Sequence, residues 1–159
     1  MSRSILTLIL VLVQITGSGS IIHVAIATND FSNSGSAWCM SFIGFNFANN
    51  IALQIYNRGV VSLVGPPLTL NVWTHVVQTY SSTNEVTLYV NGTRIGRTGS
   101  TKCAASGVPD YILVGYNGPS GSGCTTGAIV PGVFYGAVNE LRVYSRELTQ
   151  SDVYVLANQ

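Results

Sequence analysis

Two β-prone runs joined by a polar turn decide the fold of this chain, Val72-Trp73-Thr74-His75-Val76-Val77 and Val86-Thr87-Leu88-Tyr89-Val90-Asn91-Gly92. In the second run, apolar residues alternate with Thr87 and Tyr89, and a period of two is typical of a strand with one buried face. The Asn-Gly step at its end favours a tight hairpin turn. The stretch therefore predicts consecutive antiparallel strands.

Similar short runs recur along the rest of the chain, with turn residues between them. The predicted strands cover residues 5–13, 21–27, 38–47, 51–56, 60–64, 72–80, 85–90, 111–116, 133–138 and 140–144. This spacing is typical of a multi-stranded antiparallel sandwich or barrel. Gly65-Pro66-Pro67 predicts a loop, because proline cannot donate a hydrogen bond within a central strand. Near the carboxyl end, Thr149 followed by Asp152 predicts the start of a short helix.

Charged residues are scarce in this sequence. Seven Lys/Arg and six Asp/Glu make up 8% of the 159 residues, and the net charge is +1. A typical domain has about 25% charged residues. So small a net charge gives no field for nucleic acid or for an anionic membrane surface. The 47% hydrophobic content argues against disorder, and the composition therefore favours a compact domain with no nucleic-acid partner.

The first twenty residues have two interpretations. Arg3, the apolar run 5–13 and the small residues Ser18-Gly19-Ser20 are the parts of a secretory signal peptide over residues 1–20. The run is too short for a membrane span, which needs about 20 apolar residues, so no membrane insertion is expected. Its content of Val and Ile is also that of a β-strand, and the residues alone leave both interpretations open.

The quoted hairpin and the closing stretch 134–149 resemble the laminin-G-like jelly-roll domains of the concanavalin A-like lectin/glucanase superfamily. The resemblance implies an all-β fold, a two-sheet antiparallel β-sandwich (jelly roll) with a short C-terminal helix. It implies a single domain over residues 1–159. Run 5–13 is similar to the second element of such domains, and this resemblance makes the strand the preferred interpretation of the run. The strand or two that normally come first would then be missing.

The resemblance also implies a non-catalytic binding or adhesion module, extracellular or at the cell surface, with a glycan or an extracellular protein as its partner. A structural scaffold domain from a larger multidomain protein, with no ligand site of its own, is the alternative. A glycoside hydrolase is disfavoured, because hydrolytic relatives use two carboxylates two residues apart on one strand. No two of the six acids have this spacing, and Glu140 has Arg142 in the partner's place. The chain is therefore not expected to be an enzyme.

Carbohydrate binding usually needs an exposed aromatic ring against the sugar and polar groups for its hydroxyls. The candidate ligand-binding residues are Trp38, Tyr56, Tyr116, Asn117 and Tyr135. Tryptophans of such a domain are more often core residues, and this applies to Trp38 and Trp73. His23 and His75 are expected to be buried, hydrogen-bonded residues rather than catalytic ones.

No cofactor is expected to be required, and calcium is the one possible ion. Relatives often bind it at the sheet edge through carboxylates, an Asn side chain and backbone carbonyls. The candidate ligands here are Asp30, Asp110 and Asn139, and the family usually has Asp at the last of these positions. With so few acids, such a site would bind calcium weakly.

The three cysteines, Cys39, Cys103 and Cys124, cannot all pair within one chain. Cys103 and Cys124 lie in Gly/Ser-rich stretches that predict loops, so a Cys103–Cys124 disulfide is the candidate pair in an oxidising compartment. A buried free thiol is the alternative, above all for Cys39. Asn91-Gly92-Thr93 is also an N-glycosylation sequon, whose use at Asn91 would require the secretory pathway.

Overall fold

The computed structural model describes residues 6–14, 19–26, 38–99, 110–115 and 124–159. Within these ranges the chain forms eleven strands and one helix. In chain order they are β1 (Leu6–Gln14), β2 (Ser20–Ile26), β3 (Cys39–Phe45), β4 (Asn50–Tyr56), β5 (Val60–Pro67), β6 (Thr74–Ser81), β7 (Glu85–Val90), β8 (Thr93–Arg97), β9 (Asp110–Val114), β10 (Cys124–Thr125), β11 (Gly136–Tyr144) and α1 (Gln150–Ala157).

The strands form two sheets, which confirms the predicted all-β sandwich with a short helix. The five-stranded sheet has the order β11-β1-β6-β7-β8, and the six-stranded sheet has the order β5-β4-β3-β2-β9 with β10 beside β3. All pairs are antiparallel except β10 with β3. The quoted hairpin is β6 and β7, paired from Val76↔Val90 to Ser81↔Glu85. Positive φ angles of 47° and 76° at Asn91 and Gly92 form the next turn, as the Asn-Gly step predicts.

The main core lies between the two sheets. It consists of apolar side chains that alternate along the strands, among them Ile22, Val24, Ile43, Phe45, Ile51, Leu53, Ile55, Val76, Val86, Leu88 and Phe134. The rings of Phe45 and Phe134 stack with centroids 6.3 Å apart. Burying each such side chain contributes about 1.5–3 kcal/mol, so this layer is the main source of stability.

Helix α1 packs against the outer face of the five-stranded sheet. Leu148 and Val153 are buried there with Ile9, Val77 and Tyr89 in a second apolar cluster. The predicted cap is confirmed as a capping box, in which Thr149 and Asp152 bond to each other's backbone N–H groups. On the same face, Thr7 Oγ1 accepts a hydrogen bond from the backbone N–H of Leu148. The helix is therefore fixed to β1 as well as to the hairpin.

Strand β1 occupies a central position, with β11 on one side and β6 on the other. Its pairing with β11 shifts by one residue where Val11 lies opposite Glu140 and Leu12 opposite Val138. Asn139 is the extra residue of this bulge, and β11 therefore runs continuously through the two runs predicted as separate strands. No helix within the described ranges has the length and apolar character needed to cross a bilayer.

The structure corrects the strand predictions in two places. Pro66 and Pro67 belong to β5 rather than to a loop, because β5 is an edge strand and one side of its backbone needs no hydrogen-bonded neighbour. Strand β8 was not among the predicted runs, since its sequence Thr93–Arg97 contains two arginines and a glycine. It too lies at a sheet edge, where charged side chains remain in water.

The predicted Cys103–Cys124 disulfide is wrong, because Cys124 forms its disulfide with Cys39. Strand β10 lies parallel to β3 with Cys124 directly opposite Cys39, and their Cα atoms are 4.3 Å apart. This pairing depends on a contact between segments 85 residues apart, which local composition does not report. Cys103 lies outside the described residues.

Candidate ligand-binding site

Of the aromatic residues predicted to bind a ligand, the three that the structure describes are not brought to one place. Trp38 and Tyr56 contact each other edge to face, with ring centroids 5.3 Å apart, and both are partly buried. Tyr135 is 58% exposed just before β11 on the other sheet. Tyr116 and Asn117 lie outside the described residues, as does Asp30.

The calcium candidates are also separated. Asp110 begins β9, at the edge of the six-stranded sheet, whereas Asn139 lies on β11 in the five-stranded sheet. The neighbours of Asn139 are the side chains of a cavity described next. A calcium site that uses all three candidates therefore stays a prediction from the sequence.

A cavity of about 410 Å³ opens on the outer face of the five-stranded sheet, beside the end of α1. We name it the Trp73 cavity. Its polar and aromatic lining consists of Trp73, His75, Asn91, Asn139, Glu140, Arg142 and Gln159, and its apolar lining includes Ile9 and Leu156. The cavity therefore combines an aromatic ring, hydrogen-bonding groups and charges in one place.

Strand register explains why these side chains meet. In β1, Val11 lies opposite His75 of β6 on one side and opposite Glu140 of β11 on the other. Arg142 is two residues from Glu140, so both side chains project from the same face of β11. The bulge at Asn139 adds a third polar side chain at this point.

The turn between β7 and β8 contributes Asn91 to the cavity lining. The backbone N–H of His75 donates a hydrogen bond of 3.0 Å to Asn91 Oδ1. The N–H of Asn91 donates in return to the His75 carbonyl, at 2.8 Å. Gln150 of α1 donates to the carbonyl of Gly92 at 2.7 Å, which fixes the helix to the same turn.

An ion pair between Arg142 and Glu140 lies in the lining of the cavity. Arg142 donates to Glu140 Oε1 at 2.7 Å, and both side chains are about two-fifths exposed. This hydrogen bond raises the pKa of Arg142 above its ordinary value. Such an exposed pair contributes little to stability, but it presents a guanidinium and a carboxylate side by side to the cavity.

His75 is the buried polar group of the cavity. Burial lowers its pKa, the charge of Arg142 lowers it further, and Glu140 opposes the shift. The imidazole is therefore neutral near pH 7. Its Nδ1 is buried and has no hydrogen-bond partner among the residues that the structure describes. Buried polar atoms are normally paired, so this nitrogen is one of the few exceptions among the described residues.

Trp73 differs from its expected role as a core residue, because 52% of its surface is exposed. It lies just before β6 begins at Thr74, where the sheet no longer covers it. The sequence did carry one signal: Trp73 and His75 are two residues apart and so face the same way. The sequence does not predict that β11, which supplies Glu140 and Arg142, lies close to these two residues.

Glu140 is the one acidic side chain among the described residues that line the cavity. Glycoside hydrolysis uses a pair of carboxyl groups about 5–10 Å apart, and this lining does not supply the pair. The groups present can bind a polar ligand with an apolar face. They do not form a general acid and base in the usual arrangement.

Comparisons with known proteins agree with this fold. The Laminin_G_3 family model, of the concanavalin A-like lectin/glucanases superfamily, matches residues 13–154. A search of curated protein sequences finds no match to the chain.

Several solved structures are similar along most of the chain. One is the CBM40 domain of the Ruminococcus gnavus IT-sialidase bound to alpha2,3 sialyllactose, at 16% identity and a TM-score of 0.69, which covers 98% of this chain and 84% of that chain. Another is domain 4 of AbnA, a GH43 extracellular arabinanase from Geobacillus stearothermophilus, in complex with arabinotriose. Its identity is 17% and its TM-score 0.65, and the match covers 99% of this chain and 68% of that chain.

A third match lies within a longer enzyme. The Trypanosoma rangeli sialidase in complex with sialic acid is 18% identical with a TM-score of 0.62, and the match covers 96% of this chain but 22% of that chain. At such identities the likeness concerns the fold.

Proposed function

The chain belongs to the concanavalin A-like lectin/glucanases superfamily, and we propose that it is a non-catalytic carbohydrate-binding module whose ligand occupies the Trp73 cavity. One observation carries the proposal: a half-exposed tryptophan lines the same cavity as His75, Asn139 and the Arg142–Glu140 ion pair. An isolated exposed aromatic would be unremarkable on a protein surface.

The chemistry of the cavity suits a sugar. A sugar ring has an apolar face, and stacking that face on Trp73 removes both surfaces from water. Sugar hydroxyls require donors and acceptors at fixed positions, which His75, Asn139 and the Arg142–Glu140 pair supply. A volume of about 410 Å³ falls within the range of small-ligand sites. The cavity is therefore large enough for a short oligosaccharide.

The comparisons support the same class of ligand. The Ruminococcus domain was solved with sialyllactose and the Geobacillus domain with arabinotriose. Both are sugar-binding domains attached to enzymes that act on carbohydrates. We infer that this chain performs a comparable binding role, with a glycan as its partner.

An extracellular or cell-surface location is part of the proposal. The Cys39–Cys124 disulfide supports it, since disulfides persist mainly in oxidising compartments. The arabinanase that contains a similar domain is described as extracellular. N-glycosylation at Asn91 would follow if the chain passes through the secretory pathway, and a glycan there would lie at the rim of the Trp73 cavity.

The test is a glycan array followed by calorimetric titration with the strongest hit, with sialyllactose and arabinotriose as the first two probes. Trp73→Ala should weaken binding by about 2 kcal/mol or more, which is roughly 30-fold in Kd. Tyr154→Ala is the matched control, because Tyr154 is 60% exposed on α1 and does not line the cavity. Circular dichroism checks that both variants fold.

The same titration separates the alternatives. Loss of binding in Tyr135→Ala, with Trp73→Ala unaffected, would move the ligand to the aromatic residues predicted from the sequence. No binding to any glycan would favour the structural scaffold. Repeating the titration with EDTA tests calcium, whose ligands Asp30, Asp110 and Asn139 remain a prediction.

A further inference from the structure

Three side chains of metal-binding type meet on the six-stranded sheet, on the opposite side of the sandwich from the Trp73 cavity. One ligand atom from each of His23, Cys39 and Cys124 lies within 4.8 Å of the other two. His23 is 3% exposed, Cys39 is 6% exposed and Cys124 is partly buried. We name these residues the His23–Cys39–Cys124 cluster.

Strand pairing brings the cluster together. His23 of β2 lies opposite Ser41 of β3, and Cys39 is two residues from Ser41 on the same face of that strand. Strand β10 places Cys124 beside Cys39. The neighbours of His23 in sequence, Ile22 and Val24, belong to the core between the sheets, so His23 points to the outer face of its sheet.

Hydrogen bonds from Ser41 and Gln54 hold the imidazole of His23 and its neighbouring strand in place. Ser41 Oγ lies 3.3 Å from His23 Nδ1, and the Ser41 carbonyl accepts a 2.7 Å hydrogen bond from Gln54 Nε2. Gln54 is 1% exposed, and its Oε1 accepts from the backbone N–H of Ile129 at 3.2 Å. When Nδ1 carries the proton, Nε2 presents the lone pair that a metal ion binds, and such partners are what fix metal-binding histidines.

We propose that reduction of the Cys39–Cys124 disulfide converts this cluster into a binding site for Zn²⁺, with two thiolates and one imidazole as ligands. Tetrahedral zinc with Zn–S bonds of about 2.3 Å and Zn–N bonds of about 2.1 Å keeps its ligand atoms roughly 3.5–3.8 Å apart. In the oxidised chain the three ligand atoms already lie within 4.8 Å of one another. After reduction the two sulfurs have to move apart by about 1.7 Å to reach the zinc spacing. Rotation of the two cysteine side chains supplies this movement, and a water completes the fourth position.

The chemistry balances as two separate steps. A phosphine reductant attacks one sulfur, the S–S bond breaks, and the phosphorus becomes a phosphine oxide with its oxygen from water, while the two sulfurs leave as thiols. Zn²⁺ then displaces one proton from each thiol and binds both thiolates. A disulfide sulfur has no thiolate to offer, so the oxidised and zinc-bound forms exclude each other.

The experiment compares the oxidised and the phosphine-reduced chain, both with Cys103→Ser so that the third thiol cannot contribute. Zinc affinity is measured by competition with a chromogenic chelator, and Co²⁺ replaces Zn²⁺ to give thiolate-to-metal absorption. The reduced chain should bind one Zn²⁺ and show a rise in Tm with added zinc. The oxidised chain should bind no Zn²⁺ at this site.

Variants test the ligand set. His23→Gln in the reduced chain should weaken zinc binding on the order of 100-fold, whereas His75→Gln, which removes the chain's other imidazole, should leave it unchanged. If His23→Gln fails to fold, the Co²⁺ spectrum of the reduced parent still decides, because two thiolates and one nitrogen in a tetrahedral field have a distinct absorption. Equal zinc affinity in the oxidised and reduced chains, or a Co²⁺ spectrum without thiolate bands, would overturn the proposal.

Discussion

His75 is the residue whose protonation connects the stability of the fold to pH. Burial and Arg142 lower its pKa in the folded chain below 6.5, against the opposing effect of Glu140. The unfolded chain takes up its proton near pH 6.5, so it binds more protons than the folded chain just below that pH. The contribution of His75 to the free energy of unfolding should therefore be complete above pH 6.5. It should fall on acidification, by at most about 1.4 kcal/mol per pH unit.

Urea unfolding at pH 7.5, 6.5 and 5.5 measures this slope. His75→Gln should flatten it without abolishing it, because burial also lowers the pKa of His23. Asp152, whose pKa lies below 3.8 through its hydrogen bonds with Thr149 and Arg146, acts only at lower pH. An unchanged slope in His75→Gln would show that the imidazole is as free to ionise in the folded chain as in the unfolded one.

The cavity residues also show what a sequence can and cannot reveal at this scale. The alternation in the predicted strand 72–80 correctly indicates that Trp73, His75 and Val77 share one face. It does not indicate what covers that face, which is α1 over Val77 and open space over Trp73. Which part of a strand face is buried depends on contacts between distant segments. For this reason Trp73, which was expected in the core, is instead the exposed ring of the candidate site.

At the level of elements, α1 is predicted to depend on its capping box. Thr149→Ala removes the side-chain acceptor for the N–H of Asp152 and should cost about 1 kcal/mol. Ser151→Ala is the matched control, since Ser151 is exposed in the first turn and has no capping role. Thermal unfolding followed by circular dichroism measures the difference. Equal stability of the two variants would contradict the role of the cap. Because Leu156 and Ala157 of α1 line the Trp73 cavity, we also expect Thr149→Ala to bind glycan more weakly.

Strand β1 gives a second prediction at this scale. It pairs with both β6 and β11, so a variant that begins at Ser20 would leave two strands of the five-stranded sheet without their shared neighbour. We expect this variant not to fold, as measured by loss of the cooperative unfolding transition. A cooperative transition equal to that of the full chain would instead favour the signal-peptide interpretation of residues 1–20.

The elements predicted best are those whose information is local. The hairpin of β6 and β7 follows from alternation and a turn, and α1 follows from its cap. Strand β10 has two residues and owes its position to the disulfide and to its pairing with β3. No local pattern distinguishes such a strand from a loop, and for this reason the partner of Cys124 was predicted wrongly.

For the whole molecule, the Cys39–Cys124 disulfide closes a segment that includes most of the strands. A loop with a sequence separation of 85 residues restricts the unfolded chain, and removing the bond should cost about 2–5 kcal/mol. Cys39→Ser with Cys124→Ser should therefore unfold at lower urea than the parent, whereas Cys103→Ser should not. Peptide mapping without reduction should recover Cys39 linked to Cys124, and linkage of Cys103 to Cys124 would contradict the structure.

The two sides of the sandwich should respond independently. The Trp73 cavity is built on β1, β6 and β11 of one sheet, whereas the His23–Cys39–Cys124 cluster is built on β2, β3 and β10 of the other. In buffer without urea, and at a temperature well below Tm, the glycan Kd should therefore be the same in the oxidised, reduced and zinc-bound chains, although their stabilities differ. Calorimetric titration of one glycan into the three forms measures this directly. A Kd that changes several-fold with redox state would mean that the sheets are coupled through the apolar core between them, and Phe45→Leu would then be the first variant to examine, because Phe45 lies fully buried in that core.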